Sequence, residues 1–172
     1  NMLRIEEASS TLQNNPASLP NQINASAPMG VRNNNPGNLR TLGRQNTWQG
    51  QIGTENGFSI FDTPESGLRA LGVNIISQQI KHNKNTIAEI IETYAPQSAH
   101  NDTANYTKEV AKALGVGIND PIETLDADTL GALMRIIIRC EVGLGTNKID
   151  RYTDEQINNA VTSAIKYHQS RQ

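Results

Sequence analysis

Residues 129–145 read TLGALMRIIIRCEVGLG. Leucine, methionine and isoleucine recur here at helical spacing and cover much more than one stripe of the helix surface. We therefore predict a core helix that begins near Asp126 or Asp128 and ends where Gly143 and Gly145 follow. The apolar positions that face the core are Leu130, Leu133, Met134, Ile136, Ile137 and Ile138.

Glu141 continues the buried face of this helix, because it stands four residues after Ile137. Burial disfavours a charged carboxylate and raises its pKa, and the dipole at a helix C-terminus acts in the same direction. A carboxyl group in such a place suits a general acid that works near neutral pH. The alternative is a side chain that turns outward to water or pairs with Arg135 or Arg139.

Length and charge limit the classes of function. A chain of 172 residues suits one domain with a sizeable core. The formal charge is −2 and the 15 lysines and arginines are scattered, so nucleic acid is not an expected partner. No apolar run approaches the roughly 20 residues that span a bilayer, and no secretory leader opens the chain. We expect no membrane insertion and an export route other than a signal peptide.

The metal-binding residue types give no motif. Cys140 is the only cysteine, so an internal disulfide is impossible and a thiolate metal site lacks ligands. Its place in the core helix predicts a packing role. His82, His100 and His168 are far apart in polar surroundings and are interpreted as surface imidazoles. We expect neither a metal ion nor another cofactor.

Before the core helix, the chain divides into an arm and the start of a domain. Residues 1–28 are rich in Asn, Ser, Gln and Pro and are predicted to form a linker or N-terminal arm, with residues 29–172 as the domain. Three short strands are predicted at 38–42, 47–52 and 57–61, and the first two are expected to pair across residues 43–46. Phe58, Phe61 and Trp48 would supply the core under this antiparallel sheet.

Four further helices are predicted from capping residues and periodicity. Thr63 caps a helix that begins at Pro64 and runs to about Lys81, and Thr86 with Glu89 has capping-box spacing before a helix that ends at Pro96. A third helix spans Thr103 to Leu114, and Thr153 with Gln156 begins the last. Five helices and a small sheet predict a mostly helical α+β domain.

Several motifs together resemble a family of bacteriophage virion-associated lytic transglycosylases. They are GVRNNNPGNLR at 30–40, WQGQIG at 48–53, FDTPESGLRAL at 61–71, TYAP at 93–96, NDT at 101–103 with Tyr106, and IIRCEVG at 137–143. The likeness covers about residues 29–165. It implies cleavage of peptidoglycan between N-acetylmuramic acid and N-acetylglucosamine, and a glycan strand as the binding partner.

The resemblance also implies a fold, and this sequence departs from the family pattern beside the presumed acid. The family pattern at the acid is Arg-His-Glu-Asn-Gly followed by Pro-Tyr, whereas this chain has Cys140 and Val142 beside Glu141 and Arg151-Tyr152 downstream. In lysozyme-like folds the acidic Glu ends a core helix and a small sheet follows it. Here the sheet comes first, so we expect a circularly permuted lysozyme-like domain.

The resemblance assigns Glu141 as the single acid and base of a lytic transglycosylase, which forms a 1,6-anhydro ring. Glu65 is the main competitor, because Glu65-Ser66 resembles the Glu-Ser pair of soluble lytic transglycosylases. Its place in the first turn of a helix favours an ionised carboxylate. If Glu65 reached the cleft, or if Asp62 or Glu55 acted as a second carboxylate, the chain would be a muramidase that hydrolyses the same bond.

The expected substrate contacts are polar and aromatic. Asn34, Asn38 and Gln51 are candidates for hydrogen bonds to N-acetyl groups. Trp48 is a candidate for stacking on a sugar ring, and two tyrosines, Tyr94 and Tyr106, for lining the cleft. The alternative interpretation makes the amides turn-formers and the aromatic rings part of the core.

Two further alternatives concern the setting of the protein. A non-catalytic module that binds the wall or assembles a phage tail would keep the fold without turnover, and the residues beside Glu141 favour it. An enzyme of this kind would act in the bacterial periplasm or cell wall, carried in a virion or in a larger protein of which this chain is a piece. Delivered between bacteria by a secretion system, it would be a toxin and would have an immunity protein as partner.

Overall fold

The computed structural model describes residues 27–43 and 47–171, so nearly all of the predicted N-terminal arm lies outside the described residues. The described chain is mostly helical with one small antiparallel sheet, which confirms the predicted α+β class. Two 3₁₀ turns, Gln97–Ala99 and Thr146–Lys148, connect helices. The elements are α1 Met29–Arg32, β1 Gln51–Glu55, β2 Phe58–Phe61, α2 Pro64–His82, α3 Ile87–Tyr94, α4 Thr103–Leu114, α5 Ala127–Val142 and α6 Asp154–Gln169.

The predicted starts of the long helices are confirmed by the capping bonds. The Thr63, Thr86 and Thr153 hydroxyl oxygens accept hydrogen bonds from backbone N–H groups of the first turns of α2, α3 and α6, at 3.1, 3.2 and 3.0 Å. Asp126 caps α5 by accepting from the backbone N–H of Thr129 at 3.0 Å. Each bond satisfies a donor that has no partner inside its helix.

Helix α5 lies at the centre of the domain, as its wide apolar surface predicts. It contacts every other helix in the described part of the chain. Its leucine, methionine and isoleucine side chains are all less than 7% exposed. Helices α2 and α6 pack against each other beside it, as do α3 and α4. The polar end of α5 therefore emerges from the core at a fixed place.

The strands of the sheet pair in a different order from the predicted one. Strands β1 and β2 form a hairpin, and the segment around Arg40 bridges the other edge of β2 at Phe58. The predicted pairing of residues 38–42 with 47–52 is wrong, because β2 lies between them. The reason is the two-residue Asn56-Gly57 turn, in which both residues have positive φ, at 53° and 84°. Asn-Gly is a strong signal for a tight hairpin and selects β1–β2 over the longer loop.

The asparagine-rich turn at 33–38 is fixed to both the sheet and α2. The buried Asn35 amide accepts a hydrogen bond from the backbone N–H of Leu39 and donates to the carbonyls of Leu39 and Ser59, each at 2.9 Å. On the other side, the backbone carbonyl of Asn34 lies against Gly67 of α2. A Cβ atom at Gly67 would stand 1.8 Å from that oxygen. The turn therefore requires a glycine beneath it.

We expect Gly67→Ala to lower the free energy of unfolding by about 3 kcal/mol, because the clash is with backbone and cannot relax by a rotamer change. Gly131→Ala in α5 is the matched control, since the nearest atom there is the flexible end of Arg135 at 3.3 Å. The control is expected to be neutral or to stabilise by about 0.5–1 kcal/mol. Urea unfolding of both variants measures the difference, and equal midpoints would contradict the close contact.

Candidate active site

Glu141 lies in the last turn of α5 and is joined to the asparagine-rich turn. The Asn38 side chain donates from Nδ2 to Glu141 Oε1 at 3.1 Å and to the Glu141 backbone carbonyl at 3.3 Å. Asn38 has a φ of 49°, in the left-handed region that asparagine tolerates. Within the described residues, the other carboxyl oxygen of Glu141 accepts no hydrogen bond.

The environment of Glu141 raises the pKa of its carboxyl group. Desolvation by burial is the larger cause and raises the pKa, while the hydrogen bond from Asn38 lowers it. The expected alternative of pairing with a neighbouring arginine is wrong. Arg135 instead pairs with Asp154 at 2.8 Å, and Arg139 pairs with Glu109 at 2.7 Å. No cation of α5 thus compensates the charge of Glu141.

The end of α5 is held by a residue that the sequence reasoning did not assign. Arg151 donates from Nε to the carbonyls of Val142 and Gly143, at 3.0 and 3.2 Å. A cation that binds the last carbonyls of a helix is a common cap. Gly143 itself has a φ of 72°, so the chain turns away immediately after the acid. Arg151 holds the end of α5, and Asn38 holds the Glu141 carboxyl group. Together they fix the direction of the Glu141 side chain.

Glu141 opens into a cleft of about 530 Å³ between the segment at 37–42, α2, α3 and the end of α5. Among the described residues that line it, Glu141 is the sole carboxylate and Arg40 the sole cation. Tyr94 forms part of the wall, and its hydroxyl donates to Asn74 Oδ1. Burial raises the pKa of Tyr94, and the nearby charge of Glu141 raises it further. The cleft is thus a polar pocket with one ionisable acid.

Four of the predicted site residues meet in this cleft: Glu141, Asn38, Trp48 and Tyr94. Trp48 also packs against both apolar clusters of the core, as the alternative interpretation expects, and its stacking on a sugar ring stays a prediction. Tyr94 lies in the wall of the cleft, and its contact with a substrate stays a prediction.

Three predicted substrate contacts do not line the cleft. The Asn34 amide donates to the carbonyl of Phe61 at 3.1 Å, and Gln51 accepts from the Ser59 hydroxyl at 3.1 Å. Tyr106 of α4 lies beside Cys140 of α5 and does not form part of the cleft wall. The alternative interpretation describes the two amides better, because their hydrogen bonds hold the turn and the sheet together.

The competing carboxylates also lie outside the cleft. Glu65 is exposed in the first turn of α2 and accepts a hydrogen bond from Gln156 Nε2 of α6 at 3.0 Å. Glu55 accepts from Asn33 Nδ2 at 2.9 Å, and Asp62 is exposed. None of these three supplies a second acid beside Glu141, because none of them lines the cleft.

The remaining titratable residues behave as packing or surface groups. Cys140 is half-buried, and burial raises the pKa of its thiol to about 12, which keeps it protonated. His82 and His100 are exposed as predicted, whereas His168 is half-buried between α2 and α6. In the part of the chain that the structure describes, no three His, Cys, Asp or Glu side chains are grouped as metal ligands.

Sequence reasoning missed five polar residues of the cleft, which are Arg40, Thr41, Asn74, Gln78 and Thr93. A signal was present for two of them. Asn74 and Gln78 follow Leu71 at helical spacing, so they are polar positions that interrupt the apolar face of α2. Polar residues on an otherwise buried helix face indicate either a buried network or a cleft.

This chain is similar to a bacteriophage protein. The chain is 34% identical over 132 residues to protein P5 of Pseudoalteromonas phage PM2, over 74% of this chain and 78% of the phage protein. The chain belongs to the family of protein P5. No family model matches the sequence. Membership of the P5 family confirms the predicted link to bacteriophages. Among the described residues of this P5-family chain, no helix has the length and apolar character needed to cross a bilayer.

The raised pKa of Glu141 makes a prediction that is independent of activity. A carboxyl group whose pKa in the folded state exceeds its ordinary value of 4.5 holds its proton more tightly when folded, so stability falls as pH rises from that value through the folded pKa. Glu141→Gln removes this loss while keeping an oxygen that accepts from Asn38. We expect the variant to melt about 3 °C above the parent at pH 8.

At pH 3, well below the ordinary value of 4.5, the two proteins are expected to melt together, because the parent carboxyl group is then protonated in both states. Thermal unfolding followed by circular dichroism at several pH values measures the difference. A constant difference across the pH range would show that desolvation of Glu141 is not its cause.

Proposed function

We propose that this P5-family protein is a lytic transglycosylase, which cleaves the bond between N-acetylmuramic acid and N-acetylglucosamine in the bacterial cell wall. Glu141 is its general acid and base. The observation that carries the proposal is a half-buried carboxyl group with a raised pKa, in a cleft of about 530 Å³ that has no second carboxylate among its described lining residues.

The reaction needs one group that gives a proton and then takes one. Protonated Glu141 donates to the glycosidic oxygen, and the bond from that oxygen to C1 of muramic acid breaks through an oxocarbenium-like state. The Glu141 carboxylate then removes the proton from the 6-hydroxyl of the same sugar, whose oxygen bonds to C1. The products are a free glycan end and a 1,6-anhydro end, and no water is consumed.

The contacts of Glu141 suit both steps. Desolvation keeps the group protonated at a higher pH than an exposed carboxyl group, which favours the first step. Once the proton has left, the Asn38 amide stabilises the new carboxylate at 3.1 Å. The same bond prevents the side chain from turning away between the two transfers. An acid that must act again as a base needs this balance.

The placement of the acid also supports a lysozyme-like arrangement. In the proposed permuted fold, the sheet region precedes the acid-bearing helix in sequence yet must contact it in space. The hydrogen bonds between Asn38 and Glu141 join these regions. A large separation would have argued against the permutation.

A hydrolase of the same bond needs a second carboxyl group about 5–9.5 Å from the acid, as nucleophile or as base for water. Glu65, Asp62 and Glu55 do not line the cleft, which favours the transglycosylase over the muramidase. The 1,6-anhydro product distinguishes the two reactions, because it is lighter than the hydrolysed end by one water.

We expect Glu141→Gln to reduce cleavage of purified peptidoglycan by at least about 10³-fold, since it removes the proton that the leaving oxygen requires. Glu65→Gln is the matched control, which changes the same group at a site outside the cleft, and it is expected to keep more than half of the activity. Mass spectrometry of the soluble products measures both the rate and the anhydro ends.

Three outcomes would overturn the assignment. Hydrolysed ends from the parent protein would establish a muramidase, and loss of activity in Glu65→Gln alone would transfer the acid to α2. A parent protein that binds the wall without releasing products would establish the non-catalytic module.

Asn38 gives a separate prediction on pH dependence. Its hydrogen bond lowers the pKa of Glu141, so removing the amide raises that pKa further. Activity depends on the protonated acid and falls as pH rises through this pKa. In Asn38→Gly, which accepts the left-handed backbone, we expect this fall in kcat/KM to occur at higher pH than in the parent. An unmoved pH profile would separate Asn38 from the acid.

A further inference from the structure

A second groove continues from the Glu141 cleft. It has a volume of about 520 Å³ and lies over the C-terminal parts of α2 and α6. Leu42, Trp48, Asn74 and Gln78 line both spaces, so the groove and the cleft share one wall. A ligand bound beside Glu141 can therefore extend into the groove past Trp48 without leaving the surface.

The charge of this second groove is positive. Lys81 and Arg171 carry this charge, His82 and His168 also line the groove, and no Asp or Glu is among its described lining residues. The whole chain has a formal charge of −2, so the concentration of cations here is local. We name this surface the basic groove.

His168 lies among these cations, at the contact between two helices. Its ring nitrogen Nε2 lies 3.4 Å from the Val73 carbonyl, at the contact of α2 with α6. Burial is the main cause that lowers the pKa of His168, and the charges of Lys81, Arg171 and Arg69 lower it further. Arg69 and Arg171 also lie against the ring of Tyr167 between them, at 5.0 and 5.2 Å.

The basic groove therefore favours an anion that is part of the ligand in the cleft. In peptidoglycan, a peptide stem branches from the muramic acid whose bond is broken, and this stem carries free carboxylates. We propose that the basic groove binds the carboxylates of the peptide stem while the glycan strand lies beside Glu141. This inference rests on the proposed function, and it makes peptide-bearing strands the preferred substrate.

The shared wall explains why a branch is favoured over a separate ligand. A glycan strand in the cleft presents its sugars to Trp48, and a substituent on muramic acid that passes Trp48 reaches Lys81 and Arg171. Both of these side chains are exposed, so each contributes modestly to binding in water. Together they are expected to change the preference by about fivefold.

The first arm of the test measures cleavage of soluble glycan strands with intact stems and of the same strands after an amidase has removed the stems. We expect the parent protein to cleave the peptide-bearing strands about fivefold faster in kcat/KM. In Lys81→Gln with Arg171→Gln this preference should disappear, with the rate on bare strands unchanged. Lys108→Gln with Lys112→Gln on exposed positions of α4 is the matched control and should keep it.

The second arm measures binding without turnover, by NMR titration of the His168 ring. A muramyl tripeptide is expected to raise the pKa of His168, because its carboxylates offset the nearby Lys81, Arg69 and Arg171. The N-methylamide of N-acetylmuramic acid, which carries no carboxylate, should leave it unchanged. The same titration of the Lys81→Gln, Arg171→Gln double variant is the control. It measures whether the remaining neighbours, His82 and the Tyr167 hydroxyl, change the pKa of His168 without the two cations.

The outcomes separate the two proposals. Strands left intact by the parent protein, together with a shift of His168 by the tripeptide, refute the transglycosylase and retain the basic groove. A preference that survives in the double variant, or a His168 ring that the tripeptide does not shift, overturns the basic groove. A shift as large with inorganic phosphate or a short oligonucleotide assigns the groove to phosphate and overturns it equally.

Discussion

The contact between Asn38 and Glu141 is the interaction on which the site depends. It joins two residues that are 103 positions apart in the chain, through both the carboxyl group and the backbone carbonyl of the glutamate. Asn38 can make it only because the turn at 33–38 is fixed by the buried Asn35 amide and by the close approach to Gly67. The position of the proposed acid is therefore set by two features, the core helix α5 and the turn at 33–38, which is fixed to the sheet and to α2.

The same arrangement explains how an acid can be desolvated without being neutralised by a cation. The arginines of α5 are directed to partners on α4 and α6, at Glu109 and Asp154, and Arg151 binds the carbonyls that end the helix. A carboxyl group left in this position lowers the stability of the folded chain when it ionises. Groups with perturbed pKa values that persist at such a cost are found preferentially at functional sites, which is why this one supports an enzyme.

Local signals predicted the five longer helices but not the one-turn helix α1, and they were insufficient for much of the site. Thr63, Thr86 and Thr153 satisfy donors within their own first turns, so their capping depends on nearby sequence. The Asn56-Gly57 turn is also a local signal, and it favours the β1–β2 hairpin over pairing across the longer loop. The amides of Asn34 and Asn38 look alike in sequence, yet one holds a backbone carbonyl and the other a carboxyl group. Only the fold decides between these partners.

The difference between Glu141 and Glu65 shows how position on a helix separates two identical side chains. A helix N-terminus stabilises a carboxylate, and Glu65 stands in the first turn of α2, exposed and bonded to Gln156. Glu141 stands in the last turn of α5, where the carbonyl ends of the helix and the loss of water both oppose the charge. A proton donor needs the second environment, because an acid that is already ionised has no proton to give. For this reason the geometry of the helix ends favours Glu141 more strongly than the motif around either residue.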